Sequence, residues 1–340
     1  MSSNRRVAVL GATGHTGRFV VAELQRRGLI PILIGRDRDK LAALAPELEA
    51  FCVTSLADSQ ALDRAVAGTA AIINCAGPFF DTAVPAIDAA LRCKIAYLDV
   101  TAEQITTLTT FHRYHYAAIE AGIAILPAMA FYGGLADLMA TAAIADWQAA
   151  ERISVAIALD SWHPTQGTRL TGARNVGPRY VLTDGRLGLL DDAAPHASWH
   201  FPAPFGQQEM AHVPLSEVIT ISRHLPVREI VSLMNLAPLK DLKDASTPPP
   251  VPADSRGRSD QRFAIEVKAE RDGKGRKISL AGRDIYAISA ELVAEFSLWL
   301  CDGRIQQTGT LAAGMAVNAD EFLTALCGRS DDLVADRSGI

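Results

Sequence analysis

One stretch near the N-terminus limits the possible folds more than any other. Val7-Ala8-Val9-Leu10 is a short apolar run, the right length for a buried parallel strand. It runs straight into Gly11-Ala12-Thr13-Gly14-His15-Thr16-Gly17. A segment with helical apolar spacing follows, at Phe19, Val20, Ala22 and Leu24, and stops at Gly28. A second apolar run, Ile30 to Ile34, closes a strand–glycine turn–helix–strand unit.

Each glycine answers a separate physical need. Gly11 permits a tight exit from the strand, Gly14 lets the backbone approach a pyrophosphate, and Gly17 lets the helix pack against the strand. The helix N-terminus then turns bare N–H groups and its positive dipole end toward an anion. Because the turn sits between a strand and a helix, it reads as a dinucleotide site, with Gly11, Thr13, Gly14, His15, Thr16 and Gly17 as the expected contacts. The second strand ends in Gly35-Arg36, where an NAD site usually carries a carboxylate for the ribose hydroxyl. A guanidinium there would instead grip a 2′-phosphate with paired hydrogen bonds. The expected cofactor is therefore NADP(H), held by Arg36 and Arg38, with Lys40 close behind.

The strand–helix alternation continues. A helix is expected over Asp39–Leu48, a strand at Phe51–Val53, and a helix from Asp58 to Val66. Ser55 and Leu56, after the third strand, should border the adenine. Ala70 to Ala76 reads as a central strand ending at Gly77-Pro78, so Ala76, Gly77 and Pro78 are expected beside the nicotinamide ribose. A helix over Val84–Cys93 and strands at Ile95–Val100 and Ile123–Leu126 complete a doubly wound parallel sheet of the Rossmann type, an α/β fold.

From about Arg152 the apolar period becomes two, at Ile153, Val155, Ile157 and Leu159. Ser216 to Arg223 and the pair Phe263–Ala269 and Arg276–Leu280 look similar, with a hairpin turn at Asp272-Gly273. These features predict an inserted α+β domain built on an antiparallel sheet over 149–285. The dinucleotide domain would then span 1–148 and be completed by helices in 286–330. A Pro/Ser/Asp-rich loop over 244–260 is expected to be mobile, and the chain is expected to fray from about Ser330.

Composition narrows the function classes. A net charge of −5 and the lack of any Lys/Arg run with interleaved aromatics speak against a nucleic-acid partner. The five cysteines are scattered, which suits reduced thiols and a cytoplasmic protein rather than a disulfide frame. The apolar stretch 123–145 is broken by Pro127, Gly133-Gly134 and Asp137, so no membrane span is expected. His112 and His115 lie three apart on a helix, but no carboxylate or cysteine joins them at a metal-binding spacing, so no metal is expected. There is no Gly-x-Ser-x-Gly elbow. None of the six tyrosines is followed by lysine at Tyr-x-x-x-Lys spacing, as a short-chain dehydrogenase would require.

Several separate stretches resemble one family. GATGHTG, LIGR, NCAGPF, YLDVTAE and GRDIYAISAE are similar to the saccharopine dehydrogenase-like oxidoreductases, a group that includes saccharopine reductases and trans-acting enoyl reductases. The resemblance implies NADP(H) binding, hydride transfer to a small-molecule substrate in a cleft between domains, and a homodimer. It is weakest over the inserted sheet. The family often has Pro-Gly-x-Gly-Phe-Asp where this chain has Pro127-Ala128-Met129-Ala130-Phe131-Tyr132.

Hydride transfer needs a proton donor at the other end of the reduced bond. Tyr132 is one candidate; Asp99 and Glu103, at a strand end on the same rim, are two more. His163, Arg169 and Arg174 are candidate substrate contacts, the arginines for a carboxylate. Three readings stay open: reduction of C=N or C=O, reduction of an acyl C=C, and a non-catalytic NADP-binding sensor.

Overall fold

The computed structural model describes residues 4–44, 51–175, 177–191 and 197–339. The first sheet is parallel throughout and holds β1 (Arg6–Leu10), β2 (Ile30–Gly35), β3 (Phe51–Val53), β4 (Ala71–Asn74), β5 (Ala96–Asp99), β6 (Ala124–Leu126) and the late strand β15 (Gly309–Thr310). Its order is β15-β6-β5-β4-β1-β2-β3, so the chain reverses direction across the sheet at β1/β4. That crevice is where ligands settle in open parallel sheets.

Helices α1 (His15–Arg26), α2 (Arg38–Leu44), α3 (Ser59–Val66), α4 (Phe79–Cys93) and α5 (Gln104–Ala121) connect the strands. Alternation along β1 explains the layering. Val7 and Val9 join one core and Ala8 and Leu10 the other, and all four are buried. Leu48, expected on the apolar face of α2, lies outside the described residues. α4 begins at Phe79, not near Val84. Pro85 reads as a first-turn residue in the sequence, yet it sits inside the helix.

The second sheet contains β7 (Ala150–Leu159), β8 (Tyr180–Thr183), β9 (Arg186–Leu189), β10 (Ala197–His200), β11 (Gln207–His212), β12 (Val227–Asn235), β13 (Arg262–Arg271), β14 (Lys274–Arg283) and β16 (Val334–Gly339). It is mixed rather than antiparallel, because β12 runs parallel to β7. The β13–β14 hairpin turns at Asp272-Gly273, as expected. Ser216–Arg223 does not form a strand. Residues Ser216–Ser222 are helix α8, buried from Ser216 through Ile221. With every side enclosed, apolar alternation carries no information about period, and tertiary burial overrides the β-branched composition.

The remaining helices are α6 (Ala136–Ile144), entered through a π-helical turn at Phe131–Leu135, α7 (Gln166–Arg174), α9 (Leu236–Lys243), α10 (Ile285–Cys301), α11 (Ala313–Ala316) and α12 (Ala319–Arg329). Among the described residues no helix is long and apolar enough to cross a membrane. α10 returns to the first sheet and packs on α1, with Arg27 Nε 3.0 Å from the fully buried Glu295 carboxylate. The tail expected to fray instead pairs as β16 with β14. The loop over 244–260 has no regular structure but is tied down. Asp254 accepts from the Arg258 guanidinium at 2.7 Å and the Arg283 guanidinium at 2.9 Å, and Arg169 donates to the Thr247 carbonyl at 2.7 Å.

Candidate active site

Gly11 leaves β1 with φ +78°, and a Cβ there would press to 2.9 Å on the Ala76 backbone. Gly17 does not face the cavity; it fits the helix to the turn, since a Cβ at this position would lie 2.2 Å from the Gly11 carbonyl oxygen. Gly14 precedes α1 without a side-chain cap, and the first turn contains no acidic residue. The first-turn amides are therefore left for an incoming anion.

A cavity of about 1320 Å³ starts here, lined by Gly11, Thr13, Gly14, His15 and Thr16. This exceeds the roughly 300–1,000 Å³ of ordinary small-molecule sites, leaving room for a dinucleotide and a second molecule. His15 stands edge-on to Phe19 and Tyr286 at 5.2 and 5.1 Å, and its Nε2 is buried without a partner. Burial lowers its pKa below the usual imidazole value. Arg18, one turn into α1, also lines the cavity; its Nε donates to the Thr13 carbonyl at 3.2 Å. The sequence reading passed over it, although a cation in the first turn after a glycine cradle was a usable signal.

At the outer end, Arg36, Lys40, Ser55 and Leu56 line the cavity. Arg36 is exposed and makes no ion pair among the described residues, whereas Lys40 pairs with Asp37 at 3.3 Å. Arg38 is a correction. It is the first residue of α2, its guanidinium lies over the Phe51 ring, 5.8 Å from the centroid, and it does not line the cavity. Ala76, Gly77 and Pro78 line the middle.

Asp99 and Glu103 are also corrected: neither lines the cavity, and both carboxylates are spent on local structure. Glu103 accepts from the Phe79 and Phe80 amides at 2.9 and 2.8 Å and from the Thr106 hydroxyl at 2.6 Å, so it caps α4 from outside the helix. Asp99 accepts from the amides of Thr101 and Ala128 at 3.0 and 2.8 Å and from the Tyr97 hydroxyl at 2.9 Å. Its bond to Ala128 has a specific purpose. Ala128 stands where the resembling family has glycine, and it still adopts φ +59°. That conformation costs an alanine about 1–2 kcal/mol, and the bond from Asp99 holds it in place.

The inner compartment is built by the second half of the chain. The π-helical turn needs Gly133, whose Cβ would lie 2.3 Å from the Ala128 carbonyl oxygen, and it swings Tyr132 into the cavity. Such turns recur at functional sites. Tyr132 stacks on Trp162 with centroids 5.4 Å apart, and its hydroxyl is buried without a hydrogen-bond partner. Burial pushes its pKa well up, so it remains a phenol. Tyr286, at the start of α10, joins the two halves of the site. Its hydroxyl accepts from Trp162 Nε1 at 3.0 Å and shares a bond with the Thr168 hydroxyl at 2.9 Å.

His163 does not line the cavity. It lies in the irregular segment between β7 and α7. Arg174 is likewise outside, paired with Asp81 at 3.0 Å. Arg169 lines the cavity but spends its Nη2 on the Asp244 and Thr247 carbonyls. Arg179 is the cation the sequence reading missed. It lines the inner walls near Val213 and Leu215, and no motif marked it because the chain bringing it there is the insertion.

Three buried groups make stability depend on pH with one sign. Burial pushes Asp99 up to about 6 and Glu217 up to about 7. At His224 burial opposes the charge, but the Asp137 carboxylate 2.9 Å away more than offsets it, so the pKa is raised. Each group binds more protons folded than unfolded over part of the range between pH 4 and 7, so stability falls as pH rises through that window. His15, lowered by burial, acts the other way but is one group against three, so we expect urea midpoints to drop between pH 5 and 7.5 and Glu217→Gln to flatten the profile. A midpoint that climbs steadily to pH 8 would contradict this.

Comparison with known proteins agrees with this geometry. Residues 7–126 match the saccharopine dehydrogenase NADP binding domain. The bovine saccharopine dehydrogenase-like oxidoreductase is 27% identical over 152 residues, which cover 39% of this chain and 35% of the bovine one. A probable mitochondrial saccharopine dehydrogenase-like oxidoreductase of Arabidopsis thaliana is 30% identical over 142 residues, covering 37% and 31%. The aligned region thus spans about a third of these relatives' length. The apo saccharopine dehydrogenase (L-Glu forming) of Saccharomyces cerevisiae superposes with a TM-score of 0.68 at 14% identity, covering 98% of this chain and 99% of that one, which establishes a shared fold. Residues 7–126 are therefore similar to a saccharopine dehydrogenase NADP binding domain, and the chain as a whole shares the fold of the yeast enzyme.

Proposed function

We propose that this chain is an NADP(H)-dependent oxidoreductase that transfers a hydride to the C=N or C=O carbon of a small substrate with carboxylate or amine groups. The observation that carries this reading is the continuity of one cavity, from the Gly11–Gly14 turn past Gly77 and Pro78 to Tyr132. A sensor needs the first part of that cavity and has no use for the second.

When bound, the nicotinamide supplies the hydride. The protein does the rest. The α1 amides and Arg18 hold the diphosphate, Arg36 grips the 2′-phosphate, and Gly77 and Pro78 border the ribose. The Tyr132 phenol, kept protonated by burial, donates the proton to the heteroatom of the reduced bond. The walls Val213, Leu215, Leu239 and Leu242 favour a second reading, reduction of an acyl C=C bond, for which the same phenol would protonate the α-carbon.

The test is a fluorescence titration with NADPH and NADH. Wild type should prefer NADPH, and Arg36→Ala should lose about 10–100-fold in NADPH affinity with little change for NADH, the worth of a charge-assisted bond. Equal affinities, unmoved by the substitution, would remove the coenzyme assignment. NADPH consumption with a keto acid plus an amine, set against consumption with an enoyl thioester, separates the two reactions, and consumption with neither favours the sensor.

A further inference from the structure

Among the described residues, five Lys and Arg side chains line the cavity: Arg18, Arg36, Lys40, Arg169 and Arg179. The first three stand at the cofactor end. Arg169 is occupied with carbonyls of the loop that packs over it. Arg179 differs from all of these. It is half-buried, lies at the inner end, and forms no ion pair among the described residues. Its Nη1 donates to the Pro214 carbonyl at 3.3 Å, the one hydrogen bond its side chain makes among the described residues. A guanidinium offers five N–H donors in a planar fork, and removing it from water without a counter-ion is costly.

The surrounding structure holds Arg179 in place. Gln104, buried at the start of α5, accepts from the Tyr180 amide at 2.7 Å. Its Nε2 donates to the Tyr180 carbonyl at 2.8 Å and to the Leu215 carbonyl at 3.0 Å. One side chain of the first domain thus pins the residue after Arg179 and the segment Arg179 leans on. Tyr132, more than nine-tenths buried and with an unpartnered hydroxyl, lines the same cavity. Glu217 acts on Arg179 electrostatically but makes no ion pair with it: one of its oxygens accepts from the Leu215 amide at 2.9 Å, the other is buried without a hydrogen-bond partner, and the residue does not line the walls. Burial pushes its pKa up to about 7, against the pull of the Arg179 charge.

We propose that Arg179 is the anchor for a free carboxylate of the substrate, and that the adjoining apolar walls take an aliphatic body behind that carboxylate. This rests on the reading of the cavity as a substrate site, and it names Arg179 instead of Arg169 or Arg174 as the selecting residue. The fork pairs with two carboxylate oxygens, which an amide or thioester does not provide. Val213 and Leu215 then contact the methylenes.

The test uses hexanoate and its uncharged counterpart hexanamide, titrated calorimetrically into the full chain with and without NADPH. Wild type should bind hexanoate at least about tenfold more tightly than hexanamide, the worth of a charge-assisted pair. Arg179→Met should erase that preference, Arg169→Met should preserve it, and NADPH affinity should stay within about twofold throughout, since a site remote from the diphosphate adds independently. If Arg179→Met does not fold, Arg179→Gln carries the same expectation. A preference that survives loss of Arg179, that disappears with Arg169→Met, or that wild type never shows overturns the proposal. Failure of NADPH to bind while hexanoate still depends on Arg179 would sink the coenzyme reading and leave the carboxylate site standing. NADPH binding without any carboxylate preference would do the reverse.

Discussion

Replacing Tyr132 with phenylalanine is expected to lower kcat by about 10²–10⁴-fold, the usual worth of a positioned general acid. The same change should leave the fold intact or make it more stable. The Tyr132 hydroxyl is buried without a partner, and an unsatisfied buried donor costs about 1–3 kcal/mol. Removing it relieves that cost and keeps the ring stacked on Trp162. Activity and stability should therefore move in opposite directions, which is the mark of a group retained for chemistry. The measurement pairs NADPH oxidation rates with urea unfolding of both proteins. If Tyr132→Phe turns over at the wild-type rate, the proton comes from elsewhere; if it is several kcal/mol less stable, the hydroxyl has a structural partner.

Gly17→Ala should reduce NADPH affinity by at least about 100-fold, the scale of loss when binding groups are displaced by an ångström. The added Cβ would sit 2.2 Å from the Gly11 carbonyl oxygen and 3.0 Å from the Ala12 backbone. Those are main-chain atoms of the cradle itself, so α1 must move away and carry its first-turn amides with it. Gly328→Ala is the matched control. It lies inside α12, exposed, with nothing within 4 Å of an added Cβ. There, alanine should leave cofactor binding unchanged and add up to about 1 kcal/mol of stability. Equal NADPH affinity for Gly17→Ala and wild type, read by fluorescence titration, would show that the turn is not the diphosphate site.

The cofactor half of the site was legible because its determinants are local. A strand, a glycine turn and a helix within thirty-odd residues carry their own geometry, and Gly11, Gly14 and Arg36 are found where the pattern put them. The errors share a different cause. Asp99 and Glu103 lie at a strand end on the correct rim, as catalytic carboxylates often do. Nothing adjacent in the chain showed that the amides of Ala128, Phe79 and Phe80 would claim them. Arg174 and Arg169 were plausible by type, but Asp81 and the Thr247 carbonyl, 93 and 78 residues away, take up their charge and donors. The helix at Ser216–Ser222 failed as a strand for a related reason, because enclosure on all sides erases the periodic signal.

Sequence alone was sufficient for the parallel sheet and the NADP binding domain. It was also sufficient for the hairpin at Asp272-Gly273. In each of these, neighbouring residues impose the backbone path or the apolar period. Tertiary structure alone decided which charged groups remain free in the cavity. Whether a carboxylate or guanidinium is available depends on partners brought from distant segments, and burial sets the penalty for leaving it unpaired. That is why Arg179, unmarked by any motif, lines the cavity without an ion pair among the described residues, while more conspicuous residues hold the fold together.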